Sequence, residues 1–319
     1  MSNPTVDILM ATYDGEHYVG EQIESIQGQT YKDWRLLVSD DCSTDGTLDV
    51  VKRYADVDPR IRVISEGVRH GGAKENFFSL LEYGGAAYFM FCDQDDVWLP
   101  SKVQDELDAA QRTEQGLSLG TPVAVYTDMR VVDDGLQEIA PSFLVQDRKE
   151  GIRGDLHAFL GISGAAGCTI LGNAALRKLL AGSDFTAALM HDWWVGIVAA
   201  SCGKLVYLDE ATVLYRQHGD NEVGAETYSF CDRVAHFSQS RAKYWRACAQ
   251  AKAILSQYGG HMTPEGRELV GTYASQLDGE FAETVRALLR EGLLKEGAGR
   301  RCAQLLTLLL GAPASKAGE

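Results

Sequence analysis

Seven short segments in the first hundred residues alternate between two hydrophobic periods, and this alternation restricts the fold more than any other feature. Val6 to Ala11 is an apolar run with one Asp and reads as a strand, and Tyr18 to Ile26 places Val19, Ile23 and Ile26 on one helical face. Arg35 to Ser39 is a second strand, and Thr47 to Ala55 is a helix with Leu48, Val51 and Ala55 aligned. Ile61 to Ser65, Lys74 to Tyr83 and Ala87 to Cys92 continue as strand, helix and strand. The order βαβαβαβ predicts an α/β fold, a Rossmann-like, mostly parallel sheet with helices on both faces. Ligands of such sheets bind beyond the carboxyl ends of the strands. Three polar clusters fall there and are expected on one rim: Thr12-Tyr13-Asp14-Gly15, Asp40-Asp41-Cys42-Ser43-Thr44-Asp45-Gly46 and Asp93-Gln94-Asp95-Asp96.

Beyond Pro100 the reading is a helix to about Thr113 and a strand over Pro122 to Thr127. A hairpin turning at Asp134-Gly135 comes next, and then an irregular, loop-like stretch from Pro141 to Leu156. Ala166 to Leu171 is strand-like, Asp192 to Ala200 is a helix carrying Trp193 and Trp194, and Leu205–Leu208 and Thr212–Tyr215 are short strands. From about residue 226 only helical spacing remains. Gly259-Gly260 stops one helix, and Thr263 and Pro264 start another as cap and first residue, with a stripe from Leu269 to Leu288. The expected organisation is a catalytic α/β domain over 1–225 and a helical C-terminal region over 226–319, packed on it as a helical hairpin.

Composition narrows the partners. A net charge of -15 disfavours a polyanion, so nucleic acid is not an expected partner. Seven cysteines with no CxxC pair suggest neither a disulfide framework nor a zinc site, and a reducing cytosol is the expected compartment. Met1 to Thr5 lacks the basic and apolar regions of a leader, and no apolar run reaches membrane-spanning length. In the tail, Arg286, Arg290, Lys295, Arg300 and Arg301 lie near Leu305 to Leu310. Two readings are open for that segment: an ordinary packed helix, or peripheral contact with the inner face of the plasma membrane.

Four motifs carry chemistry. Three carboxylates within Asp93-Gln94-Asp95-Asp96, directly after a buried strand, repel one another unless a cation compensates. Oxygen ligands suit Mg²⁺ or Mn²⁺. An acidic turn capping the next helix is the alternative, and Asp96 suits that role. Asp192, at a helix start beside two indoles, is either an N-cap or a carboxylate made more basic by desolvation. Tyr215-Arg216-Gln217-His218-Gly219-Asp220-Asn221 places a cation and an imidazole in a strand-end loop. Gly71-Gly72-Ala73-Lys74-Glu75-Asn76-Phe77 is a glycine turn before a helix. No GxGxxG occurs, so a dinucleotide-binding oxidoreductase lacks its fingerprint.

Ile8 to Gly15, Leu37 to Thr47 and Asp93-Gln94-Asp95, in that order, make the chain similar to family 2 glycosyltransferases with a GT-A fold over roughly residues 4–225. The resemblance implies an inverting, metal-dependent transfer from a nucleotide-sugar donor to a glycan or lipid-linked acceptor. It implies that Thr12, Tyr13, Asp41, Lys74, Asn76, Asp93 and Arg216 contact the donor. By the same resemblance Asp93, Asp95 and His218 hold the metal, and Asp192 is the general base. The stretches Asp93 to Trp98, Tyr215 to Asn221 with Gly224, and Asn76-Phe77 most resemble bacterial rhamnosyltransferases of surface polysaccharide synthesis, which implies dTDP-L-rhamnose as donor. UDP-galactose, UDP-glucose and UDP-N-acetylhexosamines use the same motifs. An apolar patch for a 6-deoxy sugar could come from Trp98, Trp193 or Trp194. Two rivals are a nucleotidyltransferase, whose glycine-rich phosphate loop is missing from Ala11 to Gly15, and a non-catalytic sugar-nucleotide-binding protein, against which the intact carboxylates argue.

Overall fold

A computed structural model describes residues 3–147, 149, 152–218, 230–294 and 298–312; the side chains of 230–238 and 298–300 lie outside that description. The strands are β1 (Val6–Thr12), β2 (Trp34–Asp40), β3 (Ile61–Ser65), β4 (Tyr88–Cys92), β5 (Val97–Trp98), β6 (Val123–Val132), β7 (Glu138–Ala140), β8 (Ile170–Asn173) and β9 (Lys204–Arg216). The helices are α1 (Val19–Gln27), α2 (Thr47–Val57), α3 (Ala73–Tyr83), α4 (Lys102–Glu114), α5 (Phe143–Gln146), α6 (Leu156–Gly161), α7 (Ala174–Leu180), α8 (His191–Cys202), α9 (Phe230–Tyr258), α10 (Pro264–Ala274), α11 (Phe281–Arg290) and α12 (Ala298–Leu309).

One sheet runs in the order β3-β2-β1-β4-β8-β6-β9-β5, with β7 paired to β6. Pairings among β3, β2, β1 and β4, and between β6 and β9, are parallel, whereas β8, β5 and β7 run against their neighbours. Side chains alternate between two buried layers, as they must in a sheet covered on both faces. Val6, Ile8 and Met10 of β1 and Met90 of β4 pack with α1, α2 and α4; Leu9, Phe89 and Phe91 pack with α3, α6 and α8. Tyr244, Trp245, Tyr258, Tyr273 and Leu288 of the C-terminal helices belong to the second layer, so those helices cover α8.

Several expectations change. The two short strands after residue 204 are one strand, β9, whose register against β6 shifts around Asp128. The irregular stretch from 141 contains α5, capped by the Ser142 hydroxyl. The stripe from Leu269 to Leu288 is not one helix: α10 ends at Ala274, a 3-10 turn spans Ser275–Leu277, and α11 begins at Phe281, so among the described residues four α-helices stand where a hairpin was expected. Asp96 does not cap α4, which starts at Lys102 after Ser101. In α12, Leu308 is buried while Leu306 and Leu309 are exposed, as is Leu310 just after it. Arg286, Arg290 and Arg301 are exposed, with Arg290 paired to Glu291 at 2.7 Å; Lys295 and the Arg300 side chain lie outside the described residues. No helix among the described residues is long and apolar enough to cross a membrane.

Behind the acidic rim lies a buried ion pair. Lys102 Nζ meets Glu106 Oε1 at 2.5 Å and Thr212 Oγ1 at 3.2 Å, under the ring of Trp98. Burial pushes the Glu106 carboxyl up to about 7 against the opposing pull of Lys102. Its folded pKa is therefore above its unfolded value, so the protonated form is favoured on folding and stability is lost as pH rises. Lys102→Met removes the group that pulls the Glu106 pKa down, so it should destabilise the protein by about 3–5 kcal/mol at pH 9, where the buried carboxyl must either stay charged without its partner or hold a proton against a basic solution. The loss should be smaller at pH 6, where a proton can neutralise it; urea unfolding at both pH values measures this.

Candidate functional site at the carboxyl rim of the sheet

Parallel β1, β2 and β4 end side by side, so their polar extensions share one rim. The first two are laced together. Thr12 is buried and donates from Oγ1 to Asp40 Oδ1 at 2.9 Å, and Ser43 donates to the same carboxylate from its main-chain N at 2.9 Å and its Oγ at 2.6 Å. Asp14, held at φ 44°, accepts from the Thr44 N–H at 2.6 Å, and Gly15 N–H donates to Thr47 Oγ1 at 2.7 Å. Tyr13 is left with half its surface exposed at this edge (50%).

Asp41, expected to meet a base, has its carboxylate directed into the protein. It accepts from the main-chain N–H groups of His70, Gly71 and Gly72, the last at 2.9 Å. Gly72 has φ 152°, which a side chain rarely adopts, and α3 begins at the next residue. Asn76, also expected at the donor, is buried and donates from Nδ2 to Ser39 O at 2.9 Å. Lys74 Nζ reaches Ala188 O at 3.1 Å and Glu75 at 3.0 Å, which ties the α3 entrance to the segment before α8.

The predicted metal residues each have acidic or imidazole neighbours. Asp95 Oδ2 lies 3.0 Å from His218 Nε2, and the His218 ring stacks on Tyr18 at 4.6 Å. Asp93 instead groups with Asp96 and Cys168, with possible ligand atoms within 4.8 Å of one another. Asp96 is buried; burial first, then the charges of Asp95 and Asp93, hold its carboxyl well above the usual range. Its Oδ2 has no hydrogen-bond partner among the described residues. Carboxylates and an imidazole are donors that Mg²⁺ or Mn²⁺ accepts, and a cation would relieve the crowding, so these residues fit a divalent metal.

Arg216, expected at the donor, is enclosed by protein groups. Only 3% of it is exposed: its guanidinium pairs with Glu21 and Asp134 O and donates from Nε to Asp95 O at 3.0 Å. It also lies 5.0 Å from the Tyr18 ring. Tyr18, just before α1, and Glu21, within it, carry no signal in the sequence beyond that place. Gly219, Asp220, Asn221 and Gly224 lie outside the described residues.

Asp192 is in the first turn of α8. Its carboxylate accepts from Trp193 N–H. Burial raises its pKa to about 6, against the weaker pull of that hydrogen bond and of Lys149 and Lys243. The neighbouring His191 brings this helix start to the rim: its ring stacks on Phe77 at 4.1 Å and meets the edge of Phe91, two residues before Asp93, at 4.9 Å. His191 is neutral, with burial pulling its pKa down to about 3. Trp98, Trp193 and Trp194 are each at most 3% exposed, which corrects the expectation that one of them offers a sugar-facing patch. Trp193 Nε1 bonds Phe159 O, and Trp194 Nε1 bonds Tyr258 Oη at 3.2 Å, so both indoles belong to the core.

Comparison with known proteins agrees with this architecture. The profile of Glycosyl transferase family 2 matches residues 7–176. The dTDP-rhamnosyl transferase RfbG of Shigella flexneri is 28% identical over 250 residues, 74% of this chain and 81% of its own. The structure of S. aureus TarS 1-349 in complex with UDP-GlcNAc superposes with a TM-score of 0.58 at 16% identity, over 95% of this chain and 79% of that one. Mannosyltransferase PcManGT from Pyrobaculum calidifontis, in complex with GDP-Man and Mn²⁺, gives 0.55 at 17% identity, over 97% and 87%. These two likenesses concern the fold, and the profile covers more than half of the chain. The chain therefore belongs to glycosyltransferase family 2 and has the GT-A fold.

Proposed function

We propose that the protein is an inverting, metal-dependent rhamnosyltransferase that moves L-rhamnose from dTDP-L-rhamnose to a glycan or lipid-linked acceptor in cell-surface polysaccharide synthesis, on the cytoplasmic side. The observation that carries the catalytic part is Asp192, a partly shielded carboxylate with pKa raised to about 6 in the first turn of α8, whose neighbour His191 packs on Phe91 of β4. The acceptor hydroxyl oxygen attacks C1 of the sugar, its proton passes to the Asp192 carboxylate, and the bond from C1 to the diphosphate oxygen breaks with inversion. Tyr13 offers a stacking face for the base. Asp41 and Asn76 act by ordering the 70–76 turn around the donor, and Lys74 lies at the entrance of that turn. Arg216 positions Asp95 through its main-chain carbonyl. Asp93, Asp95 and His218 would hold a divalent cation, which when bound offsets the charge on the nucleoside diphosphate leaving group. Residues 1–225 form the catalytic part in this reading, and 226–319 brace it: Gln250 accepts from Leu189 N–H at 2.8 Å just before α8, and Thr263 N–H bonds Ser201 O at 2.9 Å at its far end.

The rhamnose donor is supported by the likeness to RfbG, which spans most of both chains. A UDP-hexose or UDP-N-acetylhexosamine donor is the second reading, favoured by the likeness in fold to TarS, whose structure contains UDP-GlcNAc. With the tryptophans buried, the apolar contact for a 6-deoxy sugar must come from other side chains.

Three outcomes are expected. Excess chelator should abolish transfer, and Asp95→Ala should lose turnover and cation-assisted donor binding in titration calorimetry; full activity in chelator refutes metal dependence. Asp192→Asn should slow transfer by roughly 10²–10⁴-fold with donor affinity nearly unchanged. Because Asp192 must be ionised to accept a proton, wild-type turnover should fall as pH drops through about 6 and level off above it; a near wild-type rate for the Asn variant assigns the base elsewhere. In a donor competition read by nucleoside diphosphate release, dTDP-L-rhamnose should be consumed fastest, and a UDP-hexose used tenfold faster overturns the rhamnose assignment.

A further inference from the structure

Gln94 lies between Asp93 and Asp95, yet its carboxamide is bound to the β1 edge of the rim. Nε2 donates to Tyr13 O at 2.8 Å, and Oε1 accepts from Tyr13 N–H at 2.9 Å. This is the two-way pairing that a neighbouring strand makes with a residue. The parallel ladder between β1 and β4 ends at Met10 opposite Cys92, so the side chain continues the seam beyond the point where the main chains part. Gly15 makes room for it: a Cβ there would lie 2.3 Å from the carboxamide carbon and oxygen. That side chain could swing away only by giving up both bonds to Tyr13. The pairing is exposed, so water competes for it and its share in global stability is small. Its geometric effect is local, because it ties the loop carrying Tyr13 to the loop carrying Asp93 and Asp95.

We infer that Gln94 is a positioning residue: it fixes the spacing between the Tyr13 ring and the Asp93 and Asp95 carboxylates, so that base and diphosphate of the donor meet a preformed site. The inference rests on the donor-site reading given above. Pre-organisation of this kind appears in affinity, because a loop that is already in place need not be ordered on binding. Gln94→Glu keeps the shape but cannot donate to the Tyr13 carbonyl, and Gln94→Ala removes both bonds.

Titration calorimetry with UDP and dTDP in the presence of Mn²⁺ tests this. Gln94→Ala and Gln94→Glu should each weaken nucleoside diphosphate binding about tenfold, with melting temperatures close to wild type. Gly15→Ala should weaken it by a similar factor by displacing the carboxamide. The double variant Gly15→Ala/Gln94→Ala should be no weaker than Gln94→Ala alone, since the obstructing group is gone. Wild-type affinity in Gln94→Ala, additive losses in the double variant, or losses that track a fall in melting temperature would each overturn the inference. If the wild-type protein binds neither UDP nor dTDP, the donor-site reading itself falls and takes this inference with it; that outcome is distinct from a wild type that binds both and is indifferent to Gln94.

Discussion

Mutual repulsion among carboxylates at one edge of the sheet is the constraint around which the site is built. β1, β2 and β4 run parallel and end together, and their extensions bring Asp14, Asp40, Asp41, Asp93, Asp95 and Asp96 to one rim. They are accommodated in several ways. Asp14 and Asp40 accept from hydroxyl and main-chain donors of the β2 loop. Asp41 accepts hydrogen bonds from the N–H groups of residues 70–72. Asp95 faces His218, and Asp96 is buried with its carboxyl pushed toward the protonated form. The carboxylates nearest β1 and β2 are thus satisfied internally, and those after β4 remain the place where external positive charge lowers the energy.

The second dependence is aromatic. α8 joins the acidic rim through His191, held between Phe77 of α3 and Phe91 of β4. A Cβ on Gly167 would run into its Nε2 at 2.2 Å, so glycine is required opposite the imidazole. At the same helix start, burial raises the Asp192 pKa to about 6. From the other side α8 rests on the C-terminal helices through Trp194 and Tyr258. The C-terminal helices thereby brace the helix that carries the proposed base.

Arg216 shows how burial changes a residue's task. In the sequence it is a cation in a strand-end loop and suits a phosphate. In the fold its guanidinium is enclosed by Glu21, Asp134 and the Asp95 carbonyl, with Tyr18 beside it. A guanidinium engaged in this way ties the acidic loop to Glu21 of α1 and to the turn at Asp134. The three tryptophans follow the same logic: their large apolar area favours the core over the rim.

The sequence by itself determined the βαβαβαβ order, the rim shared by three acidic turns, the helix at Asp192 and the capped start at Thr263, because each rests on local periodicity, strand-end position or capping chemistry. Family likeness was legible too, in motifs that keep their order along the chain. Only the tertiary structure decided which polar groups face one another. It paired Asp95 with His218 across 123 residues, Tyr13 with Gln94 across 81, and Arg216 with Glu21 across 195. It also merged two short strands into β9 and broke the helix expected after Leu269, since strand pairing and core packing override local spacing. Local sequence sets which way a chain turns, but burial and partnership depend on residues far away in the chain, and those contacts exist only once the sheet has brought its strand ends together.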